Sequence, residues 1–250
     1  MARFKLLIEF DGTDYAGWQR QKNAPSIQEA IEQAILAFCG EQANLVGAGR
    51  TDAGVHARAM AAHVDIDRPV EPFRLGEALN FYLKPAPIAI LEVSAVSDQF
   101  HARFSCTARH YEYLIYNRRA PLTLERAQAW RIIQPLGHQA MDEAAQVLVG
   151  KHDFTTFRAA QCQSNSPVKT LSAIGVERSD DWIKIRCHAP SFLHHQVRSI
   201  VGCLVEVGRG SWTVDDLAGA LKKADRAACA MVAPATGLYF MQADYPNSVE

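Results

Sequence analysis

The sequence predicts a mixed α/β fold of the α+β type, with two α/β subdomains whose mainly antiparallel sheets are flanked by helices. Three observations indicate this. Alternating apolar segments recur in both halves of the 250-residue chain, segments with helical periodicity separate several of them, and 48% of the residues are hydrophobic. We predict domains at 1–105 and 106–250. The boundary is approximate, because no linker rich in Pro, Gly and Ser joins the halves.

The first half opens with a strand and a helix. The segment Phe4–Phe10 alternates and ends at the turn-forming pair Asp11-Gly12. Ser26 and Glu29 have the spacing of a capping box, and helical periodicity follows from Ile27 to Phe38. The same patterns predict the remaining elements of this half: a strand at 59–66, a helix at 72–83 that starts near a proline, and a buried strand at 88–96.

The second half shows a similar series of elements. Alternation predicts strands at 107–116, 170–178, 182–188 and 238–245, and helical periodicity predicts helices at 139–149, 194–207 and 213–222. No repeat of 20–50 residues is visible, so any likeness between the halves is structural only.

Composition excludes several classes of protein. The chain shows neither a signal peptide nor an apolar run near the roughly 18–20 residues of a membrane span, so we expect a cytoplasmic protein without membrane attachment. Its six cysteines form no C-x-x-C pair, and its nine histidines do not pair with cysteines at zinc-ligand spacing. The adjacent His194 and His195 are expected to point to different sides of a helix or strand. We therefore expect no metal.

The formal net charge of −1 argues against a protein that coats nucleic acid non-specifically. Between His101 and Pro135, however, the sequence contains six arginines and only two acidic residues. This local excess is either an ordinary solvated face or, if other motifs point to RNA, a surface for phosphates.

The most informative segment is a glycine-rich loop at 47–57, with the sequence GAGRTDAGVHA. Its glycines indicate tight turns and close backbone approach, and it places the carboxylate of Asp52 near the guanidinium of Arg50. A dinucleotide-binding turn would need glycine at position 52, and a phosphate-binding P-loop fails because His152 follows Gly150-Lys151. A glycine-rich hairpin with an exposed Asp remains the structural alternative.

The loop resembles, over its whole length, the signature of the TruA-type tRNA pseudouridine synthases. Further motifs follow in the family's order: FDGTDYAGWQRQ (10–21), RHYEY (109–113), DFTTF (153–157), FLHHQVRSIVG (192–202) and PATGLY (234–239). Small departures, such as Phe240 where leucine is frequent and Lys169 where arginine is common, affect only secondary contacts.

The resemblance implies an isomerase that converts uridine to pseudouridine at positions 38, 39 and 40 of the tRNA anticodon arm. It further implies a homodimer that needs no cofactor, with an active-site cleft between the two domains. The first domain would carry the catalytic Asp loop, and the second would complete the active site and hold the dimer interface.

The resemblance also assigns roles to residues. Asp52 is the catalytic nucleophile, Arg50 pairs with it or with a phosphate and fills the space of a flipped base, and Arg198 is the second active-site arginine, which pairs with the acid. Tyr111 stacks on the uracil, and Leu238 belongs to the pocket wall. Trp18 and Gln19 are expected beneath the loop, and Arg118 and Arg119 are expected to face phosphates.

Each role has a structural alternative. Arg50 could form a surface ion pair, Tyr111 could belong to the core, and Arg198 could face solvent. Two other functions are also considered. A non-catalytic RNA-binding protein gives no reason for an acid in an RNA-facing loop, and a glycosidase would need a second carboxylate at fixed distance, for which no motif is apparent.

Overall fold

The computed structural model describes residues 1–246 and confirms the predicted mixed α/β fold. Its helices are α1 (Ile27–Cys39), α2 (Pro72–Tyr82), α3 (His138–Ala145), α4 (Gln196–Gly208) and α5 (Val214–Lys223). Its strands are β1 (Ala2–Phe10), β2 (Val46–Gly47), β3 (His56–Ile66), β4 (Ile88–Val96), β5 (Ala108–Asn117), β6 (Trp130–Ile132), β7 (Gly150–Asp153), β8 (Val168–Leu171), β9 (Ala173–Ser179), β10 (Trp182–Ala189) and β11 (Leu238–Asp244). The last four residues of the predicted second domain, 247–250, lie outside the described residues.

The chain divides into two compact units. The first comprises Met1–Arg109 and the described residues from Tyr239 onward, and the second comprises His110–Leu238. The sequence-based division at residue 105 assigned the last strand to the second domain. Most of β11 instead lies with the first unit, because it pairs in parallel with β3, Tyr239 opposite His56.

The first unit is built on strands in the order β4-β1-β3-β11, with β2 also paired to β3. Strand β1 is antiparallel to both β3 and β4. Its alternating apolar residues point into the core as the sequence predicts, since Phe4, Leu6, Ile8 and Phe10 are all buried. This sheet therefore fixes both ends of β3, the strand that follows the glycine-rich loop.

Helices α1 and α2 supply the rest of the first core. The Ser26 hydroxyl accepts a hydrogen bond from the Glu29 amide at 3.3 Å and caps α1, which ends at Gly40 in the left-handed conformation. Helix α2 buries Leu75 and Leu79. Both helices thus form where capping and periodicity predict them.

The second unit contains strands in the order β5-β10-β9, with β6 parallel to β5, and a separate two-stranded sheet of β7 and β8. Helix α4 is buried around most of its circumference. Helix α5 starts at a reciprocal capping box in which the Thr213 hydroxyl and the Asp216 carboxylate each bond the other's backbone amide. Within the described residues, no helix combines the length and apolar character needed to cross a membrane.

Three predicted elements of this unit differ from the structure. The predicted strand at 170–178 is two strands, because the chain leaves the two-stranded sheet at Ser172 and then pairs with β10. The helix predicted from residue 139 to 149 ends at Ala145 and continues as a 3-10 turn at Gln146–Leu148. The helix predicted from 194 begins at Gln196, since His195 has a φ of 65°.

Candidate active site

The loop between β2 and β3 carries Asp52, and backbone hydrogen bonds hold it on both sides of that residue. The Thr51 carbonyl accepts from the Trp18 amide at 3.1 Å, and the Gly54 amide donates to the Tyr15 carbonyl at 3.3 Å. The Asp52 carbonyl itself accepts from the Val55 amide at 3.2 Å. The half-buried Asp52 therefore sits on a backbone fixed by the segment that follows β1.

Glycines make this close approach possible. A Cβ atom on Gly17, whose φ is +103°, would lie 2.4 Å from the Thr51 carbonyl oxygen, and one on Gly12 would lie 2.0 Å from that of Val55. A Cβ on Gly47 would lie 2.7 Å from the Trp18 ring. Any side chain at these positions would therefore push the loop away from its support.

The aromatic support beneath the loop is Trp18. Its side chain is 3% exposed and packs against Gly47, as the sequence predicts. The prediction is wrong for Gln19, whose side chain is exposed at a bend of the chain. The Gln19 side chain therefore does not support the loop.

Arg109 and His56 also anchor the loop, and no local pattern in the sequence predicts either role. The Arg109 guanidinium donates twice to the Ala48 carbonyl, from Nε at 2.9 Å and from Nη2 at 2.8 Å. The buried His56 accepts from the Gly12 amide at Nδ1, at 3.1 Å, and its ring stacks on Tyr239 with centroids 4.8 Å apart. In the sequence, Arg109 belongs to the local excess of arginines and begins the RHYEY motif, and neither pattern predicts this contact.

Arg50 lies at the surface of the same loop. Its side chain is exposed, and within residues 1–246 it forms neither an ion pair nor a side-chain hydrogen bond. The structure therefore shows no pairing between Arg50 and Asp52, the first of the two partners that the sequence suggests. The guanidinium remains available for a phosphate or a nucleotide.

In the second unit, Tyr111 and Tyr113 lie on the buried face of β5. Tyr111 is 9% exposed and meets Phe192 edge-on, with ring centroids 5.1 Å apart. The Tyr113 hydroxyl donates to the Pro234 carbonyl at 2.8 Å, and burial raises the pKa of this hydroxyl. Tyr113 is thus a structural residue, whereas Tyr111 combines a fixed ring with some exposure.

Arg198 lies in the first turn of α4 and is half-buried. Its Nε donates to the Ala233 carbonyl at 2.8 Å, and the Ala233 amide donates to the Arg198 carbonyl at 3.1 Å. A Cβ on Gly202, one turn later, would lie 1.8 Å from the Met231 carbonyl oxygen. The segment 231–233 therefore lies directly against α4 and orients the Arg198 side chain, which does not simply face solvent.

The remaining predicted residues occupy different environments. Leu238 is buried at the start of β11, which fits a wall residue. The guanidinium of Arg118 lies 4.3 Å from the centroid of Tyr116, to whose hydroxyl it donates at 2.7 Å, and 3.9 Å from the Asp181 carboxylate. Arg119 is exposed. Arg118 is therefore already engaged within the second unit, and Arg119 is the more accessible cation.

The expectation for His194 and His195 is wrong. Their rings lie together, with centroids 4.2 Å apart, because the two residues precede α4 instead of belonging to a regular element. His195 is the N-cap residue and adopts a left-handed conformation, which brings the two side chains to the same side.

Comparisons with known proteins agree with the motifs. A family model described as tRNA pseudouridine synthase matches residues 6–105 and 144–246. A protein of Rhizorhabdus wittichii named tRNA pseudouridine synthase A is 59% identical over 98% of this chain and 97% of its own length. Proteins of the same name from Maricaulis maris and Zymomonas mobilis are 53% and 56% identical, over 99% and 98% of this chain and 99% and 100% of their own lengths.

Proposed function

Because the chain belongs to the tRNA pseudouridine synthase family, we propose that it isomerises uridine at positions 38, 39 and 40 of the tRNA anticodon arm. As a member of this family it is an isomerase that forms pseudouridine in tRNA. The single observation that supports the catalytic assignment is the Asp52 loop. Its backbone is fixed by neighbouring segments and by glycines that allow no side chain, as a preorganised catalytic group requires.

The chemistry explains why a carboxylate is needed. The reaction breaks the bond between N1 of uracil and C1′ of ribose, turns the base, and joins C5 to C1′. The C5 hydrogen leaves as a proton, and N1 gains a proton from solvent, so that composition is unchanged. An ionised Asp52 can attack C1′, stabilise positive charge there, or remove the 2′ proton to give a glycal. Since the bonds are exchanged within one nucleotide, the reaction requires neither a redox carrier nor a metal.

The other proposed roles follow from the family motifs and suit each residue's environment. The exposed Arg50 would fill the space left by the flipped nucleotide. Tyr111, held edge-on by Phe192, would stack on the uracil and assist loss of the C5 proton. Arg198, oriented by the Ala233 carbonyl, would contribute positive charge near the reacting groups. Leu238 would contribute to the wall of the uracil pocket.

The proposal extends to partners and location. Arg119 and, less directly, Arg118 would face tRNA phosphates, so affinity should fall steeply with salt despite a net charge of −1. We propose a homodimer, with its interface in the second domain, in which both subunits grip one tRNA arm. We also propose a cytoplasmic location, because tRNA is the proposed substrate.

One experiment tests this function against its alternatives. Purified protein is incubated with a tRNA transcript that carries tritium at C5 of uridine. Isomerisation releases the tritium to water and leaves pseudouridine at mapped positions 38–40. Tight binding without tritium release would instead mean a non-catalytic RNA-binding protein, and release of free uracil would mean a glycosidase.

A further inference from the structure

A short turn at residues 101–105 of the first unit presents an aromatic ring to solvent. Phe104 is 77% exposed, while Phe100 and Ala102, four and two residues before it, are fully buried. Single exposed aromatic side chains are common and need no explanation by themselves. The turn differs from an ordinary surface position in its rigidity, its charge and its link to the Asp52 loop.

The backbone of the turn is fixed by hydrogen bonds from several directions. Nδ1 of His101 accepts from the amides of both Arg103 and Phe104 at 3.2 Å. The Ala102 amide donates to Nδ1 of His63 at 3.1 Å, and the Ala102 carbonyl accepts from the Tyr245 hydroxyl at 2.7 Å. Because the backbone on either side of Phe104 is held, little conformational entropy remains to be lost when a partner binds its ring.

The ring also has the neighbours of a nucleobase-binding side chain. The His101 ring lies 4.4 Å from the Phe104 centroid at an interplanar angle of 34°, and the Arg103 guanidinium carbon lies 5.6 Å from the same centroid. Arg103 is itself exposed. A flat apolar surface beside a cation is the combination that binds a base and its phosphate.

One side chain connects this turn to the Asp52 loop. Nη2 of Arg109 donates to the Arg103 carbonyl at 2.7 Å and to the Ala48 carbonyl at 2.8 Å. A single nitrogen therefore bridges the turn and the Asp52 loop. A nucleotide bound at Phe104 would lie near the loop that carries Asp52.

We propose that Phe104 and Arg103 form a stacking platform for an unpaired nucleotide of the substrate tRNA, close to the target uridine. The platform rests on the proposed tRNA substrate and adds a binding element that the sequence motifs do not assign. Phe104 supplies the flat surface, and Arg103 pairs with the adjoining phosphate. The contact is sequence-tolerant, because every base offers a flat face.

The test compares Phe104→Leu, which keeps an apolar side chain but removes the ring, with Phe104→Trp, which keeps the ring. Affinity for an anticodon-arm tRNA is measured by fluorescence anisotropy. We expect Phe104→Leu to weaken binding roughly 5- to 150-fold and Phe104→Trp to remain within about 3-fold of the original chain. The control is Phe73→Leu, at a residue of α2 that is 78% exposed, which should leave affinity unchanged.

Salt dependence separates the two residues of the platform. Phe104→Leu should weaken binding by the same factor at every salt concentration, since stacking releases no counterions. Arg103→Gln should instead lower the slope of log affinity against log salt concentration by about one.

Equal affinities of Phe104→Leu and Phe104→Trp would overturn the platform. A loss of oligomer mass in Phe104→Leu would also overturn it, because the ring would then belong to a contact between copies of this chain. If the unaltered chain released no tritium from tRNA, the proposed function would fail instead.

Discussion

The two units hold their proposed catalytic residues in different ways. In the first, the Asp52 loop is supported mainly by backbone atoms, which approach so closely that Gly12 and Gly17 cannot carry a Cβ. In the second, Tyr111 and Arg198 lie on regular elements and are oriented by a neighbouring ring and a backbone carbonyl. Backbone support leaves no freedom for adjustment, whereas side chains on a strand or helix can repack.

This difference suits the proposed roles. A carboxylate that acts at C1′ must be placed closely with respect to the reacting atom, and misplacement of about 1 Å can cost 100-fold in rate. A ring that stacks on uracil tolerates more movement. We therefore expect substitutions around Asp52 to have larger effects than those around Tyr111 and Arg198, and the predictions below test this order.

The largest effect is expected for Asp52→Asn. The amide keeps the size of the side chain but cannot act as a nucleophile or stabilise positive charge, so single-turnover isomerisation on saturating tRNA should fall at least about 10³-fold. Affinity should stay the same or improve slightly, because a carboxylate repels phosphates in the ground state. Asp14→Asn, at an exposed acidic residue after β1, is the control and should leave both quantities unchanged. Near-normal turnover in Asp52→Asn would exclude Asp52 as the nucleophile.

Gly17→Ala should disturb the loop without touching the carboxylate. The new methyl group would meet the Thr51 carbonyl at 2.4 Å, so we expect a loss of about 3 kcal/mol or more in the free energy of unfolding and a marked loss of turnover. Gly40→Ala is the matched control, because Gly40 also has a positive φ, of 77°, but no atom within 4 Å of the added Cβ. Its cost should be about 1 kcal/mol, from backbone strain alone. The free energies of unfolding of both variants are measured in urea. If Gly17→Ala and Gly40→Ala lost the same free energy, the contact with the Thr51 carbonyl would not be the cause.

Gly202→Ala applies the same test to the second unit. Its Cβ would lie 1.8 Å from the Met231 carbonyl, so the segment that orients Arg198 must move. We expect turnover to fall about 10-fold, less than in Gly17→Ala, because the Arg198 side chain can readjust. Gly219→Ala in α5, where the added Cβ meets nothing within 4 Å, should instead stabilise the protein by up to about 1 kcal/mol. A greater loss of turnover in Gly202→Ala than in Gly17→Ala would reverse the proposed order of the two regions.

The same contrast explains what the sequence could predict. The glycine-rich loop stands out because its composition is unusual, and long periodic elements such as β1 and α1 are found where predicted. Strands of two to four residues, such as β2 and β7, are too short to show a period. The anchoring role of Arg109 depends on a contact with Ala48, 61 residues away in the chain, which no local pattern encodes.

The last effect, which is the smallest near neutral pH, concerns β3, the strand that follows the loop. His63 on β3 is 5% exposed, and burial, followed by the neighbouring His101 and Arg3, lowers its pKa from 6.5 to about 4. The unfolded chain therefore binds a proton that the folded chain excludes, so His63 contributes nothing above pH 6.5 and destabilises the fold progressively as the pH falls toward 4.

The lowered pKa of His63 corresponds to a loss of about 3 kcal/mol in the free energy of unfolding once both pKa values have been passed. About 2 kcal/mol of this should be lost by pH 5. His63→Asn, whose side-chain oxygen can replace Nδ1 as acceptor for the Ala102 amide, should remove this part of the acid sensitivity. Hydrogen exchange at pH 7.5 and pH 5 provides the measurement. The loss of amide protection should appear in β3 and the 101–105 turn. Protection around the buried Tyr113 in the second unit, whose hydroxyl has a pKa raised above the ordinary value of 10, should not respond in this range. An equal acid response of the original chain and His63→Asn would show that other groups control the stability of the first unit at low pH.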